Sequence, residues 1–339
     1  MQGLLKITLI SFDYWNYDAK IVEQLNKLGH QAQHINISQY KHKNNFERVK
    51  NTFSKIFLGN NPKHFKRQNA ILETLISFGK QDYILVLNPD LIDTPYHQEI
   101  KKHTKYYITY LYDSITRSKN PIIHLLKDIF DKIYSFDDND VAKYNFIKTN
   151  NYIYLDKQTI SKKTLTYKII NISSFDKRFP LINKIANQLG DQKVNFKFVM
   201  ISKNINYKIL KFKKNKNDDN NPQIAINKNI RFQSNRIPLN ELINEYENAE
   251  IILDLVQGFQ DGLSFRVFEA LALQKKIITD NESIRNYSFY NPNNILVIDK
   301  EKIEIPAAFL DSNYEPIPDE IYNQFTLETW VKTIFNLKN

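Results

Sequence analysis

The sequence predicts an α/β protein made of two successive parallel-sheet domains. Three observations carry this. Short apolar runs rich in Ile, Leu, Val and Tyr recur along the chain and alternate with segments of helical period. The pattern starts near residue 4, lapses in the polar, non-periodic stretch 156–165, and restarts at Tyr167. Residues 251–281 spell strand, glycine turn, apolar helix and strand, which is one βαβ unit of an open sheet.

Taken in order, residues 4–11 read as a first strand and Asp13 to Tyr17 as the loop after it. Residues 18–28 form an amphipathic helix with Ile21, Leu25 and Leu28 on one face, stopped by Gly29. Gln31 to Ile37 alternate as a strand. Residues 41–79 are helical in pattern and basic, with Phe46, Val49, Phe53 and Ile56 making an apolar stripe flanked by lysines and Arg48. Core-facing helices with solvated outer faces explain this stretch, and so does an element lying on an anionic membrane surface. Further strands are expected at Tyr83 to Leu87, Lys105 to Leu111 and Lys132 to Phe136, with Asn151 to Leu155 as the last of the first half. Each of the first three ends in polar residues, including Asp90, Asp113 with Arg117, and Asp137 to Asp140, and polar strand ends point to one crevice.

In the second half, Tyr167 to Ile172 is a strand followed by Ser173 to Arg178 and a helix at 180–189. Val194 to Ile201 is a strand, 213–222 a polar loop, Arg231 and Phe232 the end of a short strand, and Pro238 opens a helix through Glu247. After Pro306, Pro316 and Pro318, the spacing of Leu327, Trp330, Val331, Ile334 and Phe335 predicts a terminal amphipathic helix.

The chain has 339 residues, 42% hydrophobic and 25% charged, which is a globular composition with room for two domains. With no cysteine there is neither a disulfide framework nor a thiolate metal site. No apolar run is long enough to span a bilayer, and the N-terminus lacks a signal-peptide pattern, so a cytoplasmic protein is expected, with the inner membrane face as a possible station for the basic stretch 41–67. The net charge of +10 attracts anionic partners: nucleic acid, acidic lipid or phosphate-bearing substrates. The dinucleotide fingerprint G-x-G-x-x-G and the P-loop are both missing, which argues against nicotinamide enzymes and P-loop NTPases. Asp138-Asn139-Asp140 spells D-x-D, but acids after a strand and before a helical run are better explained as N-cap and first-turn residues.

The helix after Gly258 and Gly262 is apolar from Leu263 to Leu273 except for Ser264, Arg266 and Glu269. Arg266 and Glu269, spaced i, i+3, lie on one side, and on an otherwise buried helix such a pair is expected to face a cleft. The stretch resembles the donor-site signature of GT-B glycosyltransferases of bacterial polysaccharide and lipopolysaccharide assembly. Glu269-Ala270-Leu271-Ala272 matches the second glutamate of their paired-glutamate motif, and Asp261 stands at the first position, giving D-x7-E. Two departures are the aspartate and Gln274 where a glycine is usual.

The resemblance implies two Rossmann-like domains facing a central cleft: an acceptor domain over 1–157, a nucleotide-sugar domain over 165–323, and a helix over 324–339 returning to the first. It implies transfer of a sugar from a nucleotide donor to a glycan or lipid-linked acceptor, with the nucleotide sugar as co-substrate, no cofactor, no metal and no nucleic acid. On this reading the donor is bound by Asp261, Gly262, Leu263, Ser264, Arg266 and Glu269, the last taking the ribose hydroxyls. Ser174, Lys177 and Arg178 are candidates for the diphosphate, since they precede a helix whose N–H groups bind anions; for Lys177 a solvated surface role stands equally. Asp113 and, second, Asp13 are candidate bases for an inverting transfer, as carboxylates at strand ends; each also suits a helix-capping role. A non-catalytic glycan- or nucleotide-binding protein on the same fold is the alternative, and a nucleic-acid-binding protein a further one.

Overall fold

The computed structural model describes residues 3–13, 15–39, 62–115, 127–159, 165–204, 225–258 and 260–337. The basic run 41–61, Arg117 and the polar loop 213–222 lie outside them. The chain divides into two compact units, Met1–Asn150 with Leu327–Asn339, and Asn151–Thr326.

The first unit carries β1 (Lys6–Ser11), α1 (Tyr17–Lys27), β2 (Gln31–Asn36), α2 (Pro62–Phe78), β3 (Gln81–Val86), α3 (Thr94–Lys101), β4 (Thr104–Leu111), β5 (Lys132–Ser135), α4 (Asp138–Tyr144) and β6 (Ile147–Lys148). Its six strands are parallel, in the order β2-β1-β3-β4-β5-β6. The order reverses between β1 and β3, so the loops leaving those two strands open a crevice at their carboxyl ends. Asn88, just past β3, closes on that point: its Oδ1 accepts the Phe12 N–H at 2.9 Å. Gly29 ends α1 with φ of +84°, the left-handed cap that a side chain would strain.

The second unit carries β7 (Tyr167–Ser174), α5 (Phe179–Asp191), β8 (Phe196–Ile201), β9 (Ile230–Gln233), α6 (Leu239–Glu247), β10 (Ala249–Asp254), α7 (Phe265–Ala272), β11 (Lys276–Thr279), β12 (Ile295–Val297), α8 (Ala307–Asp311) and α9 (Asp319–Asn323). Its strands are again all parallel, in the order β12-β11-β10-β7-β8-β9. This is the doubly wound arrangement, with its switch point between β7 and β10. The sheet is buried on both faces, which is why its strands read as near-continuous apolar runs. Side chains alternate strictly: Ile170, Ile252 and Ile277 pack with α7 on one face, whereas Ile169, Ile251 and Ile278 pack with α5 on the other.

The final helix, α10 (Leu327–Ile334), belongs to the first unit. Trp330 meets the Tyr110 ring edge-on at 5.2 Å, Phe335 meets Tyr83 at 5.5 Å, and Tyr134 donates its hydroxyl to the Ile334 carbonyl at 3.1 Å. The amphipathic spacing of this helix therefore finds its apolar partner on the first sheet.

One expectation needs correction, and one element is new. Residues 151–155 are not a sixth strand of the first sheet; Ile147–Lys148 fills that place. Asn151 to Tyr154 are instead buried in the second unit, with a single bridge from Ile153 to Thr326. Their polar atoms explain the placement, since the Asn151 amide donates to the Leu263 carbonyl at 2.8 Å and Tyr154 to Glu269 at 2.6 Å. The helix α3 had no reading in the sequence; Pro95 opens it at a position where the missing N–H costs nothing.

Candidate active site

At the switch point of the second unit, β10 ends in Asp254, whose side chain is 6% exposed. A buried carboxylate demands partners, and two side chains supply them. Arg266 Nη1 lies 2.5 Å from Asp254 Oδ1, and Ser264 donates to the same oxygen at 3.0 Å. Arg266 also donates through Nη2 to the Ile172 carbonyl of β7 at 3.1 Å and through Nε to the Tyr246 hydroxyl at 3.1 Å. Burial opposes the Arg266 charge, but Tyr246, Asp254 and Glu269 together raise its pKa, so it stays cationic. The same surroundings act on Tyr246, whose hydroxyl is pushed up to about 12, chiefly by burial. Arg266 thus ties the start of α7 to both strands of the switch point.

The i, i+3 relation of Arg266 to Glu269 does not produce the expected pair on an open cleft wall. Glu269 is 3% exposed and accepts the Tyr154 hydroxyl, while Arg266 turns to Asp254. The turn before the helix is held by its own backbone: the Asp261 carbonyl accepts from Asn281 Nδ2 at 3.0 Å and Ser283 Oγ at 2.6 Å. Gly262 and Leu263 are buried, and Asp261 is half-buried. Ser264 is the N-cap residue, but its hydroxyl goes to Asp254 rather than to a helix N–H. The N–H groups of the first turn therefore have no side-chain cap from Ser264, and the dipole end of α7 favours an anion.

On the adjacent strand, Ser174 ends β7 exposed and Lys177 is exposed in the loop. Arg178 is the N-cap residue of α5. Its Nε and Nη2 bind Asp176 at 2.9 and 2.7 Å, and its Nη1 donates to the Leu255 carbonyl at 3.0 Å. Three of the five guanidinium N–H directions are used in this way, and the fork is fixed by Asp176. Leu255 follows β10, so this loop is stitched to the same switch point. The structure brings Ser174, Arg178, Ser264 and Arg266 to the carboxyl ends of β7 and β10 and places Glu269 one turn deeper.

The two candidate carboxylates of the first unit separate. Asp113 is exposed beyond β4. Asp13 is buried with φ of +43°, and its Oδ1 accepts the Asp18 N–H at 3.1 Å, the capping role open to it from sequence. Sequence reasoning missed Asp18, which is 3% exposed and accepts the Tyr112 hydroxyl at 2.7 Å. It also missed Asp254 and Tyr154; the detectable signal was Asp254, a carboxylate inside the apolar run Ile251 to Val256. Asp137 caps α4, accepting the Asp140 N–H at 3.1 Å, and Asp140 takes the Ile115 N–H at 2.7 Å, so the D-x-D triplet is built into a helix start as expected. Among the described residues, no three His, Asp or Glu side chains are grouped to hold a metal, and no helix is long and apolar enough to cross a membrane.

No family model matches the sequence, and no curated protein matches it. Solved structures do match in three dimensions. An α-glucosyltransferase in complex with UDP and a 13-mer DNA containing a HMU base superposes with a TM-score of 0.60 at 12% identity, covering 99% of each chain. A UDP-forming α,α-trehalose-phosphate synthase from Burkholderia xenovorans gives 0.55 at 12% identity, covering 98% of each chain. An S. aureus MnaA–UDP structure gives 0.50 at 14% identity, with 99% of this chain and 98% of that one covered. At such identities the likeness concerns the fold: two parallel six-stranded α/β units of the GT-B type, along the whole chain.

Proposed function

We propose that this protein is a glycosyltransferase that moves a sugar from a nucleotide donor, with a uridine diphosphate sugar as the first candidate, to a glycan or lipid-linked acceptor of cell-surface polysaccharide or lipopolysaccharide synthesis. The observation that carries the reading is the convergence of Ser174, Arg178, Ser264, Arg266 and Glu269 on the switch point between β7 and β10. Open α/β sheets bind ligands at that position. The start of α7 and the remaining N–H groups of Arg178 suit a diphosphate, and the exposed Lys177 adds a charge. Glu269 suits a ribose because a carboxylate accepts two hydrogen bonds. In this reading the second unit binds the donor, the first unit binds the acceptor, and the leaving diphosphate is stabilised by N–H groups and Arg178 without a metal. The basic stretch 41–67 would hold the protein at an anionic membrane, at about 1 kcal/mol per lysine or arginine near the surface.

A thermal-shift screen of nucleotides and nucleotide sugars, followed by turnover of the ligands that bind, tests this. Binding at 100 times the dissociation constant adds about 2.7 kcal/mol of stability. Binding without turnover would favour a non-catalytic sugar- or nucleotide-binding protein.

A second reading takes nucleic acid as the acceptor. The net charge of +10 and the full-length likeness to an α-glucosyltransferase crystallised with DNA favour it. Duplex binding that survives 200 mM salt would support it, because non-specific attachment weakens steeply there.

A further inference from the structure

We propose that Tyr112, backed by the buried carboxylate of Asp18, is the acid–base pair of the first unit and takes the proton of the attacking acceptor hydroxyl. The inference rests on the glycosyl-transfer reading and gives it a proton acceptor.

The pair stands at the switch point of the first sheet. Ser11 ends β1, Asp18 lies in the first turn of α1, and Tyr112 follows β4 directly. Asp18 Oδ1 accepts the Tyr112 hydroxyl at 2.7 Å, and Ser11 hydrogen-bonds the same carboxylate. Ser11 Oγ stands 2.8 Å from His34 Nε2 on β2. The arrangement that satisfies every atom has His34 Nε2–H donating to Ser11 Oγ, and Ser11 and Tyr112 both donating to Asp18. Asp18 and Ser11 are sealed from solvent, whereas Tyr112 is half-buried. Of these three residues Tyr112 is the one that solvent partly reaches, so the ligand hydroxyl is placed on the phenol.

A tyrosine alone is a poor base near neutral pH, because the phenol keeps its own proton up to about pH 10. A carboxylate hydrogen-bonded behind it removes that difficulty. Burial pushes the Asp18 carboxyl up; Ser11 opposes this, the Asp13 charge adds to it, and Tyr112 opposes it, leaving it at about 6. That is close to the value a general base needs at neutral pH. Among the described residues Asp13 is the charge that acts on Asp18; the helix packed on α1 is α10, and its Lys332 pairs with its own Glu328 at 2.9 Å. Burial holds the His34 pKa below its usual value, so the relay ends in a neutral ring. Neither earlier candidate shares this setting. Asp13 uses its carboxylate to hold a backbone N–H, and Asp113 is exposed.

The step balances. The acceptor O–H bond breaks as the phenolic oxygen takes its proton, and the Tyr112 proton passes to Asp18 Oδ1. The acceptor oxygen bonds the anomeric carbon of the donor. The bond from that carbon to the diphosphate breaks, and its electron pair leaves on the diphosphate. The proton on Asp18 then returns through Tyr112 to solvent.

The test uses the full chain as wild type, Asp18→Asn and Tyr112→Phe, with UDP-glucose as donor, water as acceptor, and UDP release as the readout. Calorimetry with UDP and a 13C titration of the aspartate carboxyls accompany it. Both variants should bind UDP within about twofold of wild type and turn over at least about 100-fold more slowly, the scale of a lost general base. The acid limb near pH 6 should disappear with Asp18→Asn. In Tyr112→Phe the Asp18 carboxyl should titrate at higher pH, since a hydrogen bond to its charged form is gone. Turnover within threefold of wild type in either variant, or an unmoved Asp18 titration in Tyr112→Phe, would overturn the pair. Wild type that neither binds UDP nor releases it from UDP-glucose, with the Asp18 shift present, would instead overturn the donor reading.

Discussion

Arg266 Nη1 closes on Asp254 Oδ1 at 2.5 Å and joins the first turn of α7 to the end of β10. Asp254 is 6% and Arg266 16% exposed, so each depends largely on the other for neutralisation. Asp254→Asn leaves a guanidinium buried against a neutral amide. The expected loss is about 3–5 kcal/mol, the range for breaking a buried pair from one side. Arg266→Met combined with Asp254→Leu should recover most of it, because no charge is then left uncompensated. Urea midpoints of the single and double variants check this; equal losses in the two would show that the pair contributes nothing specific.

Glu269 offers a sharper test of the proposed donor site. Its Oε1 accepts the Tyr154 hydroxyl at 2.6 Å, a geometry a ribose hydroxyl could take over. Glu269→Gln should weaken UDP binding by about 10- to 100-fold, since hydrogen bonds to a charged group contribute about 1.5–3 kcal/mol. Tyr154→Phe should leave affinity unchanged or raise it, because a competitor for the carboxylate is removed. Calorimetry showing Tyr154→Phe as damaging as Glu269→Gln would mean that the carboxylate serves only the fold.

Arg178 presents its fork to Asp176 and the Leu255 carbonyl, with two N–H directions left over. Arg178→Ala should weaken UDP by about tenfold and uridine hardly at all, because the loss falls on phosphate. Arg178→Lys should not restore it, since a lysine cannot keep the bidentate hold on Asp176 that aims the group. Equal weakening of UDP and uridine in Arg178→Ala would place its effect on loop structure.

The parallel sheets were legible because both faces are buried, which writes strands such as Ile251 to Asp254 as apolar runs. The terminal helix was legible from the spacing of Leu327, Trp330, Val331 and Ile334. What local patterns hid were partnerships across long stretches of chain. Tyr154 finds Glu269 115 residues away, and the apolar alternation around Ile153 therefore imitated a strand. Arg266 looked paired with Glu269 by helical spacing, yet the stronger acceptor is Asp254, brought in by the sheet. Asp18 drew no reading of its own, because nothing nearby in sequence shows that Ser11 and Tyr112 enclose it.

Asp18 also makes stability depend on pH in a distinctive direction. Its carboxyl sits at about 6 in the folded protein against an ordinary value of 3.8, because burial penalises the charged form. A carboxyl raised by folding binds a proton more tightly in the native state, so it destabilises the fold above pH 6 and ceases to do so as pH falls toward 4. From 3.8 to about 6, at about 1.4 kcal/mol per pH unit, the ceiling is roughly 3 kcal/mol. Asp18→Asn keeps an acceptor for Ser11 and Tyr112 and removes the charge. The variant should therefore be more stable than wild type at pH 8, by up to that ceiling, and the two should converge at pH 4. Chemical denaturation at both pH values measures the difference directly. A gain of equal size at pH 4 and pH 8 would show that folding leaves the Asp18 carboxyl at its ordinary pKa, too low for it to hold a proton passed from Tyr112 near neutral pH.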